Sequence, residues 1–474
     1  MATTLQERKL LLDGEWIETG EWHEVRSPYS GELVARLPRA DAEHARRAVD
    51  AAARAMSEPL PAHGRAEILD RVADLLAERQ EEAARTISAE AGKPMKAARV
   101  EAQRAVSTFT MAALEARRLA GEMVPMDASA AGVGKLAFTL RVPLGVVAAI
   151  TPFNFPLNLV AHKVAPALAA GCAVVLKPAR QTPLSALLLA ELEVEAGLPP
   201  GWLNVLVGAS AEIGGVLVED ERVRMITFTG SSEVGWELRE RAARKKVSLE
   251  LGNSTPVVVE ADADVDGTAA KLAANAFSFA GQSCISVQRI YVQQTIYDTF
   301  LASFLPRVEA LNVGDPADES TDVGPVIDTA SRERILAWIE EARAGGAELL
   351  AGGTEGDLIR PTVLASVRPE MKVSCQEVFG PLVTVTPYDS FEEALALANG
   401  TEYGLQAGVF TRDLERALGA AASLEFGGVT VNEAPTFRAD QMPYGGTKAS
   451  GNTKEGPAYA VREMTEERLV VIQT

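Results

Sequence analysis

Four reactive side chains sit in short stretches rich in glycine or proline: Cys284 in Gly281-Gln282-Ser283-Cys284, Asn154 in Thr151-Pro152-Phe153-Asn154-Phe155-Pro156, Lys177 in Leu176-Lys177-Pro178-Ala179 and Glu250 in Leu249-Glu250-Leu251-Gly252. Thiol, amide, ammonium and carboxylate are what oxidation of an aldehyde through a thioester requires. A free thiol titrates near ~8.5, so little of it is thiolate at neutral pH without help. Its addition to a carbonyl carbon creates an oxyanion. The Asn154 side-chain N–H and the Cys284 backbone N–H are candidate donors to it, and losing one such donor costs about 3 kcal/mol. Loss of hydride to a nicotinamide ring leaves a thioester. Glu250 is the candidate general base for the water that releases the acid.

Taken alone, a lone cysteine is more often a buried structural thiol. Cys172 and Cys375 keep that reading. Three scattered cysteines, no CxxC and four histidines offer no ligand cluster, so no metal is expected. Free thiols fit a reducing, cytoplasmic setting. The net charge of −19 argues against nucleic acid or an anionic membrane as partner. The longest apolar stretches, such as residues 142–150, are too short to span a bilayer.

A cofactor needs a phosphate cradle. Phe228-Thr229-Gly230-Ser231-Ser232-Glu233-Val234-Gly235 lies between a strand pattern and a helix pattern, where a helix N-terminus attracts pyrophosphate. It is not the G-x-G-x-x-G fingerprint. Residues 208–215 are a second glycine-rich turn. Lys177 ends an apolar strand and is placed to bond ribose hydroxyls.

The elements that hold these groups follow from periodicity. Residues 42–56, 65–89 and 96–118 read as helices. From Gly145 short apolar runs alternate with helices: 146–150, 173–176, 203–207, 225–228 and 247–251. This is the pattern of a buried parallel sheet, whose ligands collect at the carboxyl ends of its strands. Asn154, Lys177 and Glu250 sit at or just past such ends. A second alternation follows Pro256, with strands near 289–292, 383–386, 408–410 and 429–431. Residues 121–140 suggest a protruding hairpin, and residues 466–474 an apolar terminal strand that a partner subunit would cover.

Seven motifs occur in order: Thr151 to Pro156, Lys177-Pro178-Ala179, Phe228 to Gly235, Leu249 to Gly252, Gly281 to Cys284, Glu377-Val378-Phe379-Gly380-Pro381 and Pro443-Tyr444-Gly445-Gly446-x-Lys448-x-Ser450-Gly451. Together they resemble the NAD(P)-dependent aldehyde dehydrogenase superfamily over nearly the whole chain. The resemblance implies an α/β fold: a Rossmann-type cofactor domain (1–119 and 143–252), an α/β catalytic domain (253–454) and a small β oligomerisation hairpin (120–142 and 455–474). It implies Cys284 as nucleophile, Glu250 as base, Asn154 as oxyanion donor and Lys177 beside them. It implies cofactor contacts from Thr151, Phe153, Lys177, Ala179, Arg180, Gly230, Ser231, Gly235, Leu251, Glu377 and Phe379. A homodimer or homotetramer is expected.

The departures are informative. Arg180 replaces the Glu of many NAD-preferring members, which points to NADP, with NAD also open. Asn253 and Gln376 replace commoner residues without removing a reacting group. The C-terminal portion resembles the branch acting on lactaldehyde-like, glyceraldehyde-phosphate-like and phosphonoacetaldehyde-like substrates. A short polar or weakly anionic aldehyde is therefore expected, with Phe155, His162, Ser283, Ile285 and Arg438 as substrate residues. Arg99, Arg104, His162 and Arg438 are candidates for an anion-friendly entrance, with surface or interdomain salt bridges as the favoured alternative, and Ser283 stands where phosphate-gripping members often have Arg. The alternatives are a CoA-acylating semialdehyde dehydrogenase and a non-catalytic structural or binding homologue.

Overall fold

The computed structural model describes residues 6–242 and 244–474. Seven strands form the first sheet, in the spatial order Lys246–Glu250, Val223–Thr229, Val146–Ile150, Val174–Lys177, Leu203–Val205, Leu10–Leu12, Glu15–Ile17. The first five are mutually parallel, and the last two join antiparallel. Val146–Ile150 comes first in the chain among the parallel strands but lies between the others. Chain order therefore reverses beside it, and ligands collect outside the carboxyl ends at such a reversal.

The register makes those ends level. Ile150 pairs with Phe228 and Lys177, and Thr229 with Glu250. The helix Asn158–Ala170 packs on this sheet and is buried at every position. It is apolar all round because Met95–Arg118 and Pro457–Glu463 cover its other side.

The second sheet runs Glu348–Ala351, Thr362–Ala365, Leu382–Tyr388, Val287–Gln293, Thr255–Val259, Gln406–Phe410, Gly428–Val431. All but the first are parallel. Residues 251–254 alone connect Lys246–Glu250 to Thr255–Val259. So short a link turns the carboxyl edge of one sheet towards the amino edge of the other. Cys284 lies in the loop entering Val287–Gln293, and Glu377 and Phe379 in the loop entering Leu382–Tyr388.

A third sheet pairs Thr465–Gln473 with Lys135–Pro143, which pairs with Met123–Val124. Leu136, Leu140, Leu469, Val471 and Ile472 are exposed on it. Among the described residues, no helix is long and apolar enough to cross a membrane.

Two features differ from the sequence reading. Residues 65–89 are not one helix but two, Ala62–Glu78 and Gln80–Ala91, broken at Arg79 with φ −107° and ψ 23°. Buried positions resume at helical spacing across the break, from Leu76 to Ala83, so periodicity does not detect it. The strands Trp22–Arg26 and Leu33–Pro38 pair antiparallel in a small separate sheet that no alternation signalled.

The loop before Cys284 is strained. Phe279, Ala280 and Gly281 have φ of 49°, 51° and 70°. A Cβ on Gly281 would lie 2.1 Å from the Gly380 carbonyl oxygen, so the two catalytic-side loops are pressed together. Gly281→Ala should cost about 1–3 kcal/mol and sharply lower any activity that depends on Cys284. Gly214→Ala, where a Cβ meets nothing within 4 Å, should do neither. Thermal unfolding and initial rates of both variants check this.

Candidate active site

The two sheet edges meet at one hydrogen bond. Asn154 Nδ2 donates to the Gln282 carbonyl oxygen at 3.0 Å, two residues before Cys284. An amide NH₂ carries two protons, so one remains for an oxyanion. The Cys284 backbone N–H has no protein acceptor among the described residues. Gln282 is locked in turn: its side-chain amide donates to the Phe279 and Pro325 carbonyls, and its Oε1 accepts Ile327 N at 2.8 Å.

Cys284 is half-buried, and its Sγ lies 2.9 Å from the Tyr444 hydroxyl. Burial pushes the thiol up to about 12, with the Tyr444 hydrogen bond pulling the other way. The resting nucleophile is a thiol.

Glu250 ends its strand in a closed pocket. Both carboxyl oxygens are buried with no hydrogen-bond partner among the described residues. A Cβ on Gly445 would come within 2.6 Å of Glu250 Oε1, so only glycine leaves room for it. Burial, then repulsion from Glu455, raises its carboxyl far above the ordinary range, against the pull of Arg438, Lys163 and Lys454. Its surroundings thus favour the neutral carboxyl over the carboxylate. Glu455 behaves oppositely. Burial works against its charge, but Lys163 and Arg438 outweigh burial and hold it ionised. Lys163 Nζ reaches Glu455 Oε1 at 3.0 Å, and an Arg438 guanidinium nitrogen reaches Oε2 at 2.9 Å.

The groups expected around a dinucleotide surround the level strand ends. Thr151 and Thr229 each bury a hydroxyl without a protein partner. Ser231 caps the helix Ser232–Arg241, its Oγ accepting Val234 N. Gly230 N donates to the Glu250 carbonyl at 3.1 Å. Gly235 is needed for packing, since a Cβ there would lie 2.4 Å from Leu251 Cδ2. Lys177 is buried and pulled down to about 8 by burial and then by Arg180. Phe153 meets Phe379 edge-to-face at 5.7 Å, and Phe379 has a φ of 49°. Glu377 accepts Asn253 N at 3.0 Å, and burial raises its carboxyl to about 7. Ala179 is half-buried and Arg180 exposed. Arg180 lines a depression with His23, Glu24, Arg26 and Glu90, where Arg26 pairs with Glu24 and Arg180 makes no ion pair among the described residues. Orphaned polar atoms, a capped helix start and a free guanidinium together fit a phosphorylated dinucleotide.

The expected substrate residues divide. Ser283 and Phe155 are half-buried near the thiol loop, and Ile285 packs with Leu405, Tyr444 and Cys284 in its wall. The His162 ring is fully enclosed, bonded to Asp440 at 3.0 Å, and burial lowers it to about 4. Arg438 pairs with Glu455 and stacks 3.8 Å over the Tyr444 ring, while its Nε is buried with no partner among the described residues. Both make the salt bridges that were the alternative to an anion-binding role. Arg99 is a half-buried partner of Glu81 and Glu319. Arg104 grips Asp440 at 2.8 Å and keeps 21% of its side chain exposed.

Lys93 escaped the sequence reading. It is buried in an ion pair with Glu101 and donates to the Asn154 carbonyl at 2.7 Å. Its ammonium also lies 3.7 Å from the Phe155 ring centre and 4.5 Å from that of Phe279. Glu101 Oε1 accepts Leu157 N and Asn158 N at 2.9 and 3.2 Å, supplying the anion that a helix start favours. One cation thus holds the Asn154 backbone and sits against the Phe279 ring of the other loop. Its only sequence signal is a Lys before Pro94 between two helices.

A family profile described as the aldehyde dehydrogenase family matches residues 16–470. The chain is similar to a 3-sulfolactaldehyde dehydrogenase of Priestia aryabhattai, 48% identical over 471 residues, 99% of each chain. It is 40% identical to a lactaldehyde dehydrogenase of Methanocaldococcus jannaschii, over 98% of this chain and 100% of that one. Its fold matches an NADP-dependent glyceraldehyde-3-phosphate dehydrogenase from Bacillus halodurans C-125, complexed with NADP, at a TM-score of 0.96 and 39% identity, covering 99% of each.

Lys93→Met should destabilise the protein by about 3–5 kcal/mol, because it strands the Glu101 charge. Lys93→Met with Glu101→Gln should recover part of the loss. Thermal unfolding of the single and double variants measures it.

Proposed function

The chain belongs to the aldehyde dehydrogenase family, enzymes that oxidise aldehydes with NAD(P), and from that premise we propose a covalent route through Cys284 acting on a short 2-hydroxyaldehyde with a polar or anionic end. The observation that carries the route is the Asn154–Gln282 bond, which sets an amide donor beside the nucleophile loop. The Cys284 sulfur attacks the carbonyl carbon, and the oxygen takes the charge. Asn154 Nδ2 and the Cys284 N–H bind that oxyanion. Lys177, Glu377 and the helix start at Ser231 would hold NADP, which when bound would supply a hydride acceptor for the oxidation that leads to a thioester. Glu250, once ionised, takes a proton from water as the water attacks the thioester carbon, and the thiolate leaves with the acid released.

The substrate class rests on the relatives. Sulfolactaldehyde, lactaldehyde and glyceraldehyde 3-phosphate are all three-carbon aldehydes with a hydroxyl beside the carbonyl. NADP preference rests on Arg180, and the free guanidinium beside His23 and Arg26 supports it. Oligomerisation through the sheet of residues 465–473 and 135–143 rests on its exposed apolar edge. The three-part domain division stands with it as part of this reading.

Initial rates with a panel of short aldehydes and both cofactors test the function, and Cys284→Ala should show no turnover. Glu250→Gln should give a burst of reduced cofactor and then slow release. The raised Glu250 carboxyl has a definite sign: its basic form grows with pH, so wild-type kcat should rise with pH above the ordinary carboxylate range. A flat profile in the wild type would remove Glu250 as the base. Arg180→Glu should lower the NADP-to-NAD ratio of kcat/KM by tenfold or more, about the 1.4 kcal/mol of one charge-assisted contact.

A further inference from the structure

We propose that Tyr444 is a catalytic residue whose hydroxyl donates the hydrogen bond that holds the Cys284 thiolate before attack. This deepens, and rests on, the covalent reading of Cys284. The Tyr444 ring is 4% exposed, and among the described residues its Oη has one hydrogen-bond partner, Cys284 Sγ at 2.9 Å. While sulfur keeps its proton, either atom can donate. Once the proton has left to water, only the phenol can, and the bond becomes charge-assisted. A phenylalanine would fill the same apolar wall with Ile285 and Leu405, so sulfur is the one use this wall has for a hydroxyl.

The ring cannot swing away. Arg438 stacks 3.8 Å from its centre, and Glu455 holds Arg438 at 2.9 Å. Lys163 holds Glu455 at 3.0 Å and reaches Thr227 Oγ1 at 3.1 Å, in the central sheet. Backbone bonds in both directions tie Tyr444 to Glu455. The charges facing the sulfur are Glu377 and Glu250, which oppose a thiolate, and Arg438, which favours it. Arg438 and Glu250 also face the phenol, whose proton burial retains. Neither carboxyl is in hydrogen-bond contact with the sulfur among the described residues, whereas the Tyr444 hydroxyl is, at 2.9 Å.

The step balances without a proton from tyrosine. The Sγ–C bond forms as the carbonyl π pair moves to oxygen. Charge passes from sulfur to that oxygen, where Asn154 Nδ2 and the Cys284 N–H are placed.

The test is the pH dependence of inactivation by iodoacetamide without substrate. Tyr444→Phe should raise the midpoint by about one pH unit and lower kcat/KM at neutral pH about tenfold, with the KM for NADP unchanged. A midpoint equal to that of the wild type overturns the proposal. So does turnover in Cys284→Ala, which would also end the covalent reading; coincident midpoints with an inactive Cys284→Ala end the tyrosine role alone. Site-specific 3-fluorotyrosine at 444, a stronger donor of the same shape, should shift the midpoint down. An unchanged or raised midpoint overturns the proposal independently of any packing change.

Discussion

The hydrogen bond from Asn154 to the Gln282 carbonyl joins the facing loops of two sheets whose adjoining strands are linked by residues 251–254. One loop leaves the carboxyl edge of the first sheet, and the other enters the amino edge of the second. Everything chemical lies where these edges face each other. Lys93 fixes the Asn154 backbone from below, Gln282 fixes the nucleophile loop from within, and the contact of Gly281 with Gly380 presses that loop onto the one bearing Phe379. Left-handed backbone at Phe279, Ala280 and Phe379 is strain that packing on both sides must hold. An oxyanion site preorganised this way needs little rearrangement when charge develops.

The electrostatics are those of a site at rest. Burial pushes the thiol and the Glu250 carboxyl towards their neutral forms, while Lys163 and Arg438 favour the ionised form of Glu455. Two carboxyls in one buried region are thus shifted in opposite directions because their neighbours differ. Such divergence commonly marks acid–base roles. Glu455 serves here as a counter-ion that positions Arg438, and through it Tyr444. Charge enters the reacting centre only as chemistry requires it.

The central strands were legible because parallel strands buried on both faces read as short β-branched runs between helices. Val146–Ile150 and Val223–Thr229 fall where those runs lie. The break at Arg79 was invisible, because the apolar stripe continues through it. The small sheet of residues 22–26 and 33–38 left no clean alternation. His162 and Arg438 looked like anion ligands because a sequence shows the charge but not the carboxylate that already takes it. Both are matched by acids that lie far along the chain or behind a turn, Asp440 and Glu455.

Local residue types determined the repertoire: a thiol, an amide, a base, a glycine-rich helix start, and the strand ends that carry them. These are properties of short segments, and periodicity and turn chemistry report on short segments. Folding decided which groups meet. The sulfur at 284 finds the phenol at 444, and the ammonium at 93 finds the carbonyl at 154. Such contacts arise from sheet order and from the link of residues 251–254, which sets one edge against the other. A buried charge or hydroxyl takes its role from whichever partner excludes water beside it, and that partner is chosen only in three dimensions.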